Sequence, residues 1–475
     1  MLRKKARRER VKTTVLSRRR FLRGLAAGAA MTLVPRRVLG GAGHVAPSDK
    51  TTIACIGMGG QGHVNLFNLL QLQDVQVVAV CDVHREGSGY ISWDWMEGKE
   101  QKMGGREPAR RLVDRHYAGQ RSEGQYEGCR AYADYRELLD REDVDAVVVA
   151  TPDHTHAVIT LAAIRRGKHV YCEKPLAYTV DETRRIAVAA REKKVATQLG
   201  NQGQASEEAR LVQEYLLDGA IGSVREVHIT VGEPFWARPA WGTQPPERPP
   251  VPEGLDWDLW LGPAPQRPYH PAYHPWTWRD WRDFGTGMLG DMGCHKLSTV
   301  FKALKLEHPV SVEGSCAEIG PDVNARVFEV AWEFPARGDM PPVTLRWFGG
   351  GKQPPRPEGL EAGRGIGGDI YVGDAGVLMG NRLVPETRMK AYGRPPRVLP
   401  RSPGQYREWV DACRGGPAAG SDFVQHSGLL TETPLLGNIA MRAGKKLTWD
   451  GPAMRFTNDT ANDRLRRTYR DGWSL

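Results

Sequence analysis

An α/β domain with a parallel sheet, followed by an α+β domain with a mostly antiparallel sheet, is what this sequence predicts. Three observations lead there. From residue 51 to about 204, buried strand-like runs alternate with helical stretches, the pattern of right-handed βαβ units and a parallel sheet. From about 205 the strand candidates are joined by short turns, which favours antiparallel pairing. A glycine-rich turn, Gly57-Met58-Gly59-Gly60-Gln61-Gly62, falls directly between the first strand and the first helix.

The elements follow in order. TTIACIG is a buried strand by its β-branched content, and HVNLFNLLQLQ after the turn is helical. VQVVAVCD is a second strand. Residues 86–128 are polar, glycine-bearing and irregular, with one helix candidate at REPARRLVDRHYA. AYADYRELLDRED reads as helix and VDAVVVATP as a third buried strand. HAVITLAAIRRG is an amphipathic helix stopped at Gly167. HVYCEKP is a strand, VDETRRIAVAAREKK a helix and VATQLGNQG a strand. One further helix, SEEARLVQEYLLDGAIG, leads into the strand REVHITVGE. Residues 239–275, rich in Pro, Trp and Tyr, are too apolar for a disordered linker and read as an ordered loop. VSVEGSCAEIG, RVFEVAWEF, PVTLRWFGG and DIYVGDAGVLMG are strand candidates. QYREWVDACRGG and LTETPLLGNIAMRAGKK are closing helices.

At 475 residues and 40% hydrophobic, the chain is long enough for two or three domains with a large core. Its net charge of +10 suggests a nucleic-acid partner until the charge is located. Residues 1–37 hold 13 Lys and Arg against one Glu, so the remainder carries a net charge of −2. The body is nearly neutral, and no nucleic-acid partner is expected. Within the basic leader, SRRRFLRG precedes the short apolar run LAAGAAMTLV, too short to span a membrane. Ser17, Arg18, Arg19, Phe21 and Leu22 resemble a twin-arginine export signal, so residues 1–46 read as signal and leader, with cleavage near 41 to 47. That route implies a periplasmic or otherwise exported protein, engaged by the twin-arginine machinery and folded before it leaves the cytoplasm. Seven cysteines without CxxC pairs are no disulfide framework, consistent with folding in a reducing compartment.

The glycine turn carries the first chemistry. Gly57 permits the tight turn, Gly59 lets the backbone approach a pyrophosphate, and Gly62 lets helix and strand pack. The helix N-terminus then presents unpaired N–H groups to the phosphates. Asp82 ends the second strand, where a carboxylate binds a ribose diol and repels a 2′-phosphate, favouring NAD over NADP. Thr151-Pro152 and Glu173-Lys174-Pro175 lie at neighbouring carboxyl ends, where such sheets bind ligands. Asp291 and His295 are four residues apart on one predicted helix face, about 6 Å along the axis, and can form an oriented acid/base pair. His154 and His156, beside Asp153, form an HxH that could ligate a metal, but no further grouped ligand accompanies it and no metal is expected. The stretch YHPAYHPWTWRDWRDFGTG holds Trp276, Trp278, Trp281, Arg279 and Arg282. It can stack on sugar C–H faces and bind hydroxyls or carboxylates, or it can anchor a loop at the domain interface.

The glycine turn, the EKP motif and GDMGCH, in this order, resemble the glucose–fructose oxidoreductase, inositol dehydrogenase and rhizopine catabolism family (Gfo/Idh/MocA). QLGNQG and LLGNIAMRAGKKLTWD extend the likeness over nearly all the chain after the leader. The resemblance implies a Rossmann NAD-binding domain at residues 50–200. Residues 201–475 would form an α+β substrate and oligomerisation domain with a large open-faced, mostly antiparallel sheet, giving a dimer or tetramer. It implies Lys174, Asp291 and His295 as catalytic residues. Cofactor contacts are expected from Gly57, Met58, Gly59, Gly60, Gln61, Gly62, Asp82, Thr151, Pro152, His156, Glu173 and Lys174. Substrate contacts are expected from Asn201, Gln202, Trp278, Arg279 and Arg282. The insertion at 86–128 and the Trp-rich stretch depart from the family pattern.

The expected function is an exported NAD-dependent oxidoreductase in carbohydrate metabolism, acting on a sugar, polyol or glycoside. Lys174 would polarise the substrate oxygen, and His295, oriented by Asp291, would exchange the proton. Free NAD is not expected outside the cytoplasm, so the cofactor should be tightly bound. The alternative is glycoside cleavage by oxidation and elimination with no net redox change.

Overall fold

The computed structural model describes residues 49–91, 101–120, 126–236, 242–317 and 320–475. The leader and its twin-arginine pattern lie outside the described residues. Thr51–Leu475 pack as one unit.

The first half is a doubly wound domain. Its elements are β1 (Thr51–Ile56), α1 (Gly60–Leu70), β2 (Val75–Cys81), β3 (Gly87–Ile91), β4 (Gln101–Gly104), α2 (Arg106–Ala118), β5 (Arg130–Tyr132) and α3 (Tyr135–Arg141). After them come β6 (Ala146–Val149), α4 (Asp153–Arg165), β7 (His169–Glu173), α5 (Val180–Lys193) and β8 (Thr197–Gly200). Six strands form one sheet in the order β5-β2-β1-β6-β7-β8, every pair parallel. β1, β6 and β7 are buried almost throughout because helices cover both faces. α5 starts with a capping box, the Thr179 hydroxyl accepting from Glu182 N–H and the Glu182 carboxylate from Thr179 N–H. The strand order reverses between β1 and β6, which opens a crevice at their carboxyl ends.

The second half contains α6 (Glu207–Leu217), β9 (Val224–Val231), α7 (Trp257–Leu261), α8 (Gly287–Leu304), β10 (Ser311–Cys316), β11 (Phe328–Phe334), β12 (Val343–Gly349), β13 (Ile370–Gly373), β14 (Gly376–Met379) and β15 (Arg382–Val384). It closes with α9 (Glu386–Tyr392), α10 (Gln405–Cys413), α11 (Gly428–Ala443), β16 (Leu447–Asp450) and β17 (Arg455–Phe456). The nine-stranded sheet runs β15-β14-β13-β9-β12-β11-β10-β16-β17. Only β9 and β12 pair in parallel. Along β11, Phe328, Val330, Trp332 and Phe334 are buried while Glu329, Ala331 and Glu333 alternate outward. The buried face meets α11, where Trp332 Nε1 donates to the Thr433 carbonyl at 3.0 Å. α8 packs on α11.

One apolar cluster runs from β1, β6 and β7 through α8 and α11 to β10, β11 and β12, so the two halves share a core. Polar contacts reinforce the junction. Glu432 on α11 accepts from Arg184 on α5 at 2.8 and 2.9 Å. Residues 466–475 return to the first half, where Arg467 donates to Glu182 at 2.7 Å and to the His154 carbonyl at 2.6 Å.

Several elements differ from the sequence reading. AYADYRELLDRED begins as the three-residue strand β5, too short to show a period of its own. The 86–128 insertion contains the β3–β4 hairpin. α4 begins at Asp153 and not at His156, and α8 starts four residues before Asp291. DIYVGDAGVLMG is a hairpin of β13 and β14.

Candidate active site

A cavity of about 720 Å³ opens where β1, β2, β6 and β7 end, walled on the far side by α8 and residues 274–279. Its floor is the glycine turn. Gly57 has φ +88°, and a β-carbon there would lie 2.6 Å from the Ala150 carbonyl group at the end of β6. A side chain at Gly62 would overlap the Gly57 carbonyl oxygen, so α1 can sit this close to β1 only as glycine. No side chain caps α1 at Gly59, and Gly57, Gly59, Gly60 and Gln61 line the cavity. Unpaired N–H groups at a helix start suit a pyrophosphate. Met58 is fully buried. It builds the turn through its backbone, its N–H donating to Asp82 at 2.6 Å and its carbonyl accepting from Gly105 N–H at 2.8 Å.

Asp82 lies on the cavity wall. Its carboxylate also accepts from His84 N–H at 2.7 Å. Burial pushes its pKa up to about 6, against the pull of these two N–H bonds and of Arg106. Asp82 thus fastens the glycine turn as well as facing the nucleotide side, and each oxygen retains a further lone pair for a ribose hydroxyl. Tyr90, from the insertion, lies over the turn. A β-carbon on Gly59 would be 3.1 Å from its ring, and its hydroxyl meets His84 Nδ1 at 3.2 Å and His274 Nε2 at 3.0 Å.

Lys174, Asp291 and Arg279 converge at the other end. Lys174 follows β7, with a cis bond to Pro175. Its Nζ donates to Asp291 Oδ1 at 2.9 Å, and Arg279 Nε reaches the same oxygen at 3.3 Å. Arg279 lies between two indoles, its guanidinium carbon 4.1 Å from the Trp276 ring centre and 4.3 Å from that of Trp278. Burial opposes charge on Asp291, but Lys174 and Arg279 outweigh it and hold the carboxyl below its usual range. Asp291 Oδ2 is buried with no partner among the described residues. A charged acceptor left open on a cavity wall is suited to a ligand hydroxyl.

His295 lines the cavity one helical turn from Asp291. Burial and the Lys174 charge push its imidazole down to about 3, so it is neutral at ordinary pH. The expected oriented acid/base pair of Asp291 and His295 is not joined by a hydrogen bond among the described residues. Asp291 makes its hydrogen bonds with Lys174 and Arg279, and its influence on His295 is through charge alone. Two cations offer a buried carboxylate more than a neutral ring does.

Other expected residues divide between wall and support. Thr151, Pro152, Glu173, Gln202 and Trp278 line the cavity. Glu173 accepts from Asn65 at 3.0 Å, Gln202 at 3.1 Å and Gln61 at 3.2 Å, and burial pushes its pKa up. Asn201 instead donates to the Cys294 carbonyl at 3.2 Å, and Arg282 to the Pro321 carbonyl at 2.8 Å. Neither lines the cavity. His156 lies behind the wall, bracing the EKP turn: Nδ1 is 2.6 Å from the Pro175 carbonyl oxygen and Nε2 is 2.8 Å from that of Thr151. Carbonyls only accept, so the doubly protonated ring suits this position, and the neighbouring Cys172 and Asp153 favour the charge. His154 turns elsewhere, 2.9 Å from the Trp260 carbonyl. Burial and Arg467 hold it down to about 3. Tyr90, His274, Asp153, Tyr406 and Trp473 line the cavity without having been singled out for it. Tyr90, Tyr406 and Trp473 lie in neighbourhoods without a motif, whereas His274 belongs to the Trp-rich stretch and Asp153 follows Thr151-Pro152 at the end of β6.

Fold and cavity together define a two-domain protein built around a dinucleotide site. The profile of the oxidoreductase family with an NAD-binding Rossmann fold matches residues 51–201, and that of the family's C-terminal alpha/beta domain matches residues 207–334. The chain belongs to this Gfo/Idh/MocA family, and its first domain is an NAD-binding Rossmann domain. It is similar to the levoglucosan dehydrogenase of Pseudarthrobacter phenanthrenivorans, 36% identical over 92 residues, covering 19% of this chain and 24% of that protein. It is also similar to the 1,5-anhydro-D-fructose reductase of Ensifer adhaerens, 44% identical over 86 residues, covering 18% and 26%. The matched stretch thus spans about a quarter of these relatives' length. Among solved structures, the WlbA dehydrogenase from Bordetella pertussis, in complex with NADH and UDP-GlcNAcA, shares the fold. Its TM-score is 0.55 at 17% identity, covering 84% of this chain and 99% of that one.

The buried charge at His156 makes a prediction about pH. Burial opposes protonation, but Cys172, Asp153 and the Pro175 carbonyl overcome it and raise the pKa to about 10 from an ordinary 6.5. A raised pKa stabilises the fold fully below the unfolded value and loses that contribution as pH climbs through the folded value. The stability difference between wild type and His156→Gln, from denaturant unfolding, should therefore shrink between about pH 6.5 and 10. The limiting slope is about 1.4 kcal/mol per pH unit. A constant difference over that range would show a neutral ring.

Proposed function

We propose that this protein transfers hydride between NAD and an alcohol or carbonyl carbon of a carbohydrate-like substrate: a sugar, polyol or glycoside. One observation carries the reading. The open, buried Oδ2 of Asp291 shares a cavity with the glycine turn, beside the ammonium of Lys174 and the neutral imidazole of His295. The residues fit the cofactor: the glycine turn leaves room and N–H groups for a pyrophosphate, and Asp82 offers a carboxylate where a 2′-phosphate would be repelled. NAD, when bound, supplies the hydride acceptor or donor.

The chain's own groups do the rest. Lys174 donates a hydrogen bond to the reacting oxygen and stabilises negative charge as it develops. His295, neutral through burial, accepts the hydroxyl proton during oxidation and returns it during reduction. Asp291 accepts from a neighbouring hydroxyl and keeps the Lys174 ammonium in place, while Arg279 helps to fix the carboxylate. Trp276 and Trp278 fix the Arg279 plane and present apolar faces to sugar C–H groups. The names of the relatives, a levoglucosan dehydrogenase and an anhydrofructose reductase, support this substrate class.

A second reading keeps the same residues. Oxidation of a sugar hydroxyl would acidify the adjacent C–H, a base would remove that proton, the glycosidic substituent would leave as an alcohol on taking up a proton, water would add across the resulting enone, and hydride would return to the carbonyl carbon. It is favoured by the likeness to a glycosyl hydrolase family 109 protein of Shewanella pealeana, 29% identical over 196 residues, covering 37% of each chain. The leader supports export through the twin-arginine route with NAD already bound, and the broad second sheet supports a homo-oligomer.

Two measurements follow. In single-turnover reduction of bound NAD across sugars and glycosides, Lys174→Ala and His295→Ala should each slow the step about 10²- to 10⁴-fold while NAD stays bound. Asp291→Asn should fall in the same range, since it removes the charge that Lys174 and Arg279 share. Near-wild-type rates for Lys174→Ala or His295→Ala would move the chemistry elsewhere. Cleavage without net change in the cofactor would select the second reading. For export, changing Arg18 and Arg19 to Lys should leave a folded, unprocessed precursor in the cytoplasm, read by fractionation and N-terminal sequencing. Normal processing would exclude the twin-arginine route.

A further inference from the structure

We infer that Trp473 is a cofactor-binding residue, closing the adenosine end of the cavity on a strap formed by residues 466–475. The inference rests on the NAD reading of the cavity and adds a wall that no Rossmann motif supplies.

The adenosine end is fixed by topology. In doubly wound sheets the ribose lies beside the carboxylate after the second strand. Here that carboxylate is Asp82, and Asp134 and Tyr135 stand next to it on the same cavity wall. Asp82 N–H donates to the Tyr132 carbonyl at 3.1 Å, which joins the two strand ends. Trp473 lines this cavity, its ring centre 6.4 Å from that of Tyr135. The Arg136 guanidinium lies 4.9 Å over the indole. The ring is only half-buried, so part of its apolar surface is available to a base.

The strap is held independently of any ligand. Arg467 donates to Glu182 and to the His154 carbonyl, at 2.7 and 2.6 Å. Arg470 Nη1 donates to the Asp258 carboxylate at 2.6 Å and to Gln266 at 3.0 Å, and Nη2 to the Asp258 carbonyl at 2.6 Å. Trp473 N–H donates back to the Arg470 carbonyl at 3.1 Å. Ordering such a segment costs conformational entropy. Its anchors offset that cost, and the outcome is an indole held at a cavity mouth when it could be buried in the core. An aromatic ring beside a guanidinium is a stacking surface for a nucleobase, whatever the base. The strap would slow nucleotide exit, as a protein carrying its cofactor across a membrane requires.

The test divides the dinucleotide into its two ends. Protein stripped of nucleotide is titrated calorimetrically with ADP-ribose and, separately, with reduced nicotinamide mononucleotide. Trp473→Ala should weaken ADP-ribose binding at least about tenfold, the lower range for loss of base stacking. Trp473→Phe should fall between, and both variants should bind the mononucleotide as wild type does. Unchanged ADP-ribose affinity in Trp473→Ala would overturn the inference. So would an equal loss for both ligands, which would mean that Trp473 only supports the fold. Wild type binding neither NAD nor ADP-ribose would overturn the cofactor reading itself, and the inference with it.

Discussion

The buried Asp291 carboxylate is the constraint around which the site is arranged. It sits on α8, inside the core shared by both halves, where an unpaired charge would cost several kcal/mol. Lys174 reaches it from the end of the parallel sheet, and Arg279 from the tryptophan-rich segment that precedes α8. Lys174 lies 117 residues before Asp291 in sequence, so the carboxylate ties the end of the parallel sheet to α8 in the second half. Removing either cation leaves the other to neutralise a buried charge alone. The same pairing decides the chemistry. It holds the Asp291 carboxyl below its usual range, places the Lys174 ammonium on the cavity wall, and leaves one carboxylate oxygen without a partner among the described residues.

Burial then sorts the remaining titratable groups into different roles. His295 lines the cavity while His156 contacts the EKP turn from outside that lining, and their pKa values are pushed in opposite directions. Desolvation and the Lys174 charge keep His295 neutral. His156 faces two carbonyls and the Asp153 carboxylate, so it holds its proton and braces the turn that carries Lys174. Identical side chains are thus driven toward opposite protonation states. Asp82 has a double task of the same kind, tying the glycine turn through Met58 N–H while presenting its outer edge to the nucleotide.

Much of this was legible in the sequence. The glycine turn between strand and helix, Asp82 after β2 and Lys174 after β7 are local patterns, and their placement follows from the alternation of strands and helices. Asp291 and His295 were visible as a helical pair because spacing fixes a shared face. Their division of labour was not, because Lys174 and Arg279 approach Asp291 through space. Asn201 and Arg282 turn to backbone carbonyls for a similar reason, since nearness to a motif does not say whether a side chain faces the cavity or a neighbouring backbone. The β3–β4 hairpin and β5 escaped because short or glycine-rich strands carry no period. Trp473 lies about 180 residues beyond Asp291 in a segment without a motif, and only the fold returns it to the nucleotide site.

The central claim is that this cavity holds NAD, bound before the chain is exported and retained afterwards. Purified full-length protein, never exposed to added nucleotide, can be denatured and its released small molecules identified by mass spectrometry. The structure predicts NAD or NADH in an amount approaching one per chain, because Asp82 excludes the 2′-phosphate and the cavity is closed over the turn by Tyr90 and at its far end by Trp473. NADP in that amount, or no nucleotide together with no NAD binding on titration, would contradict it.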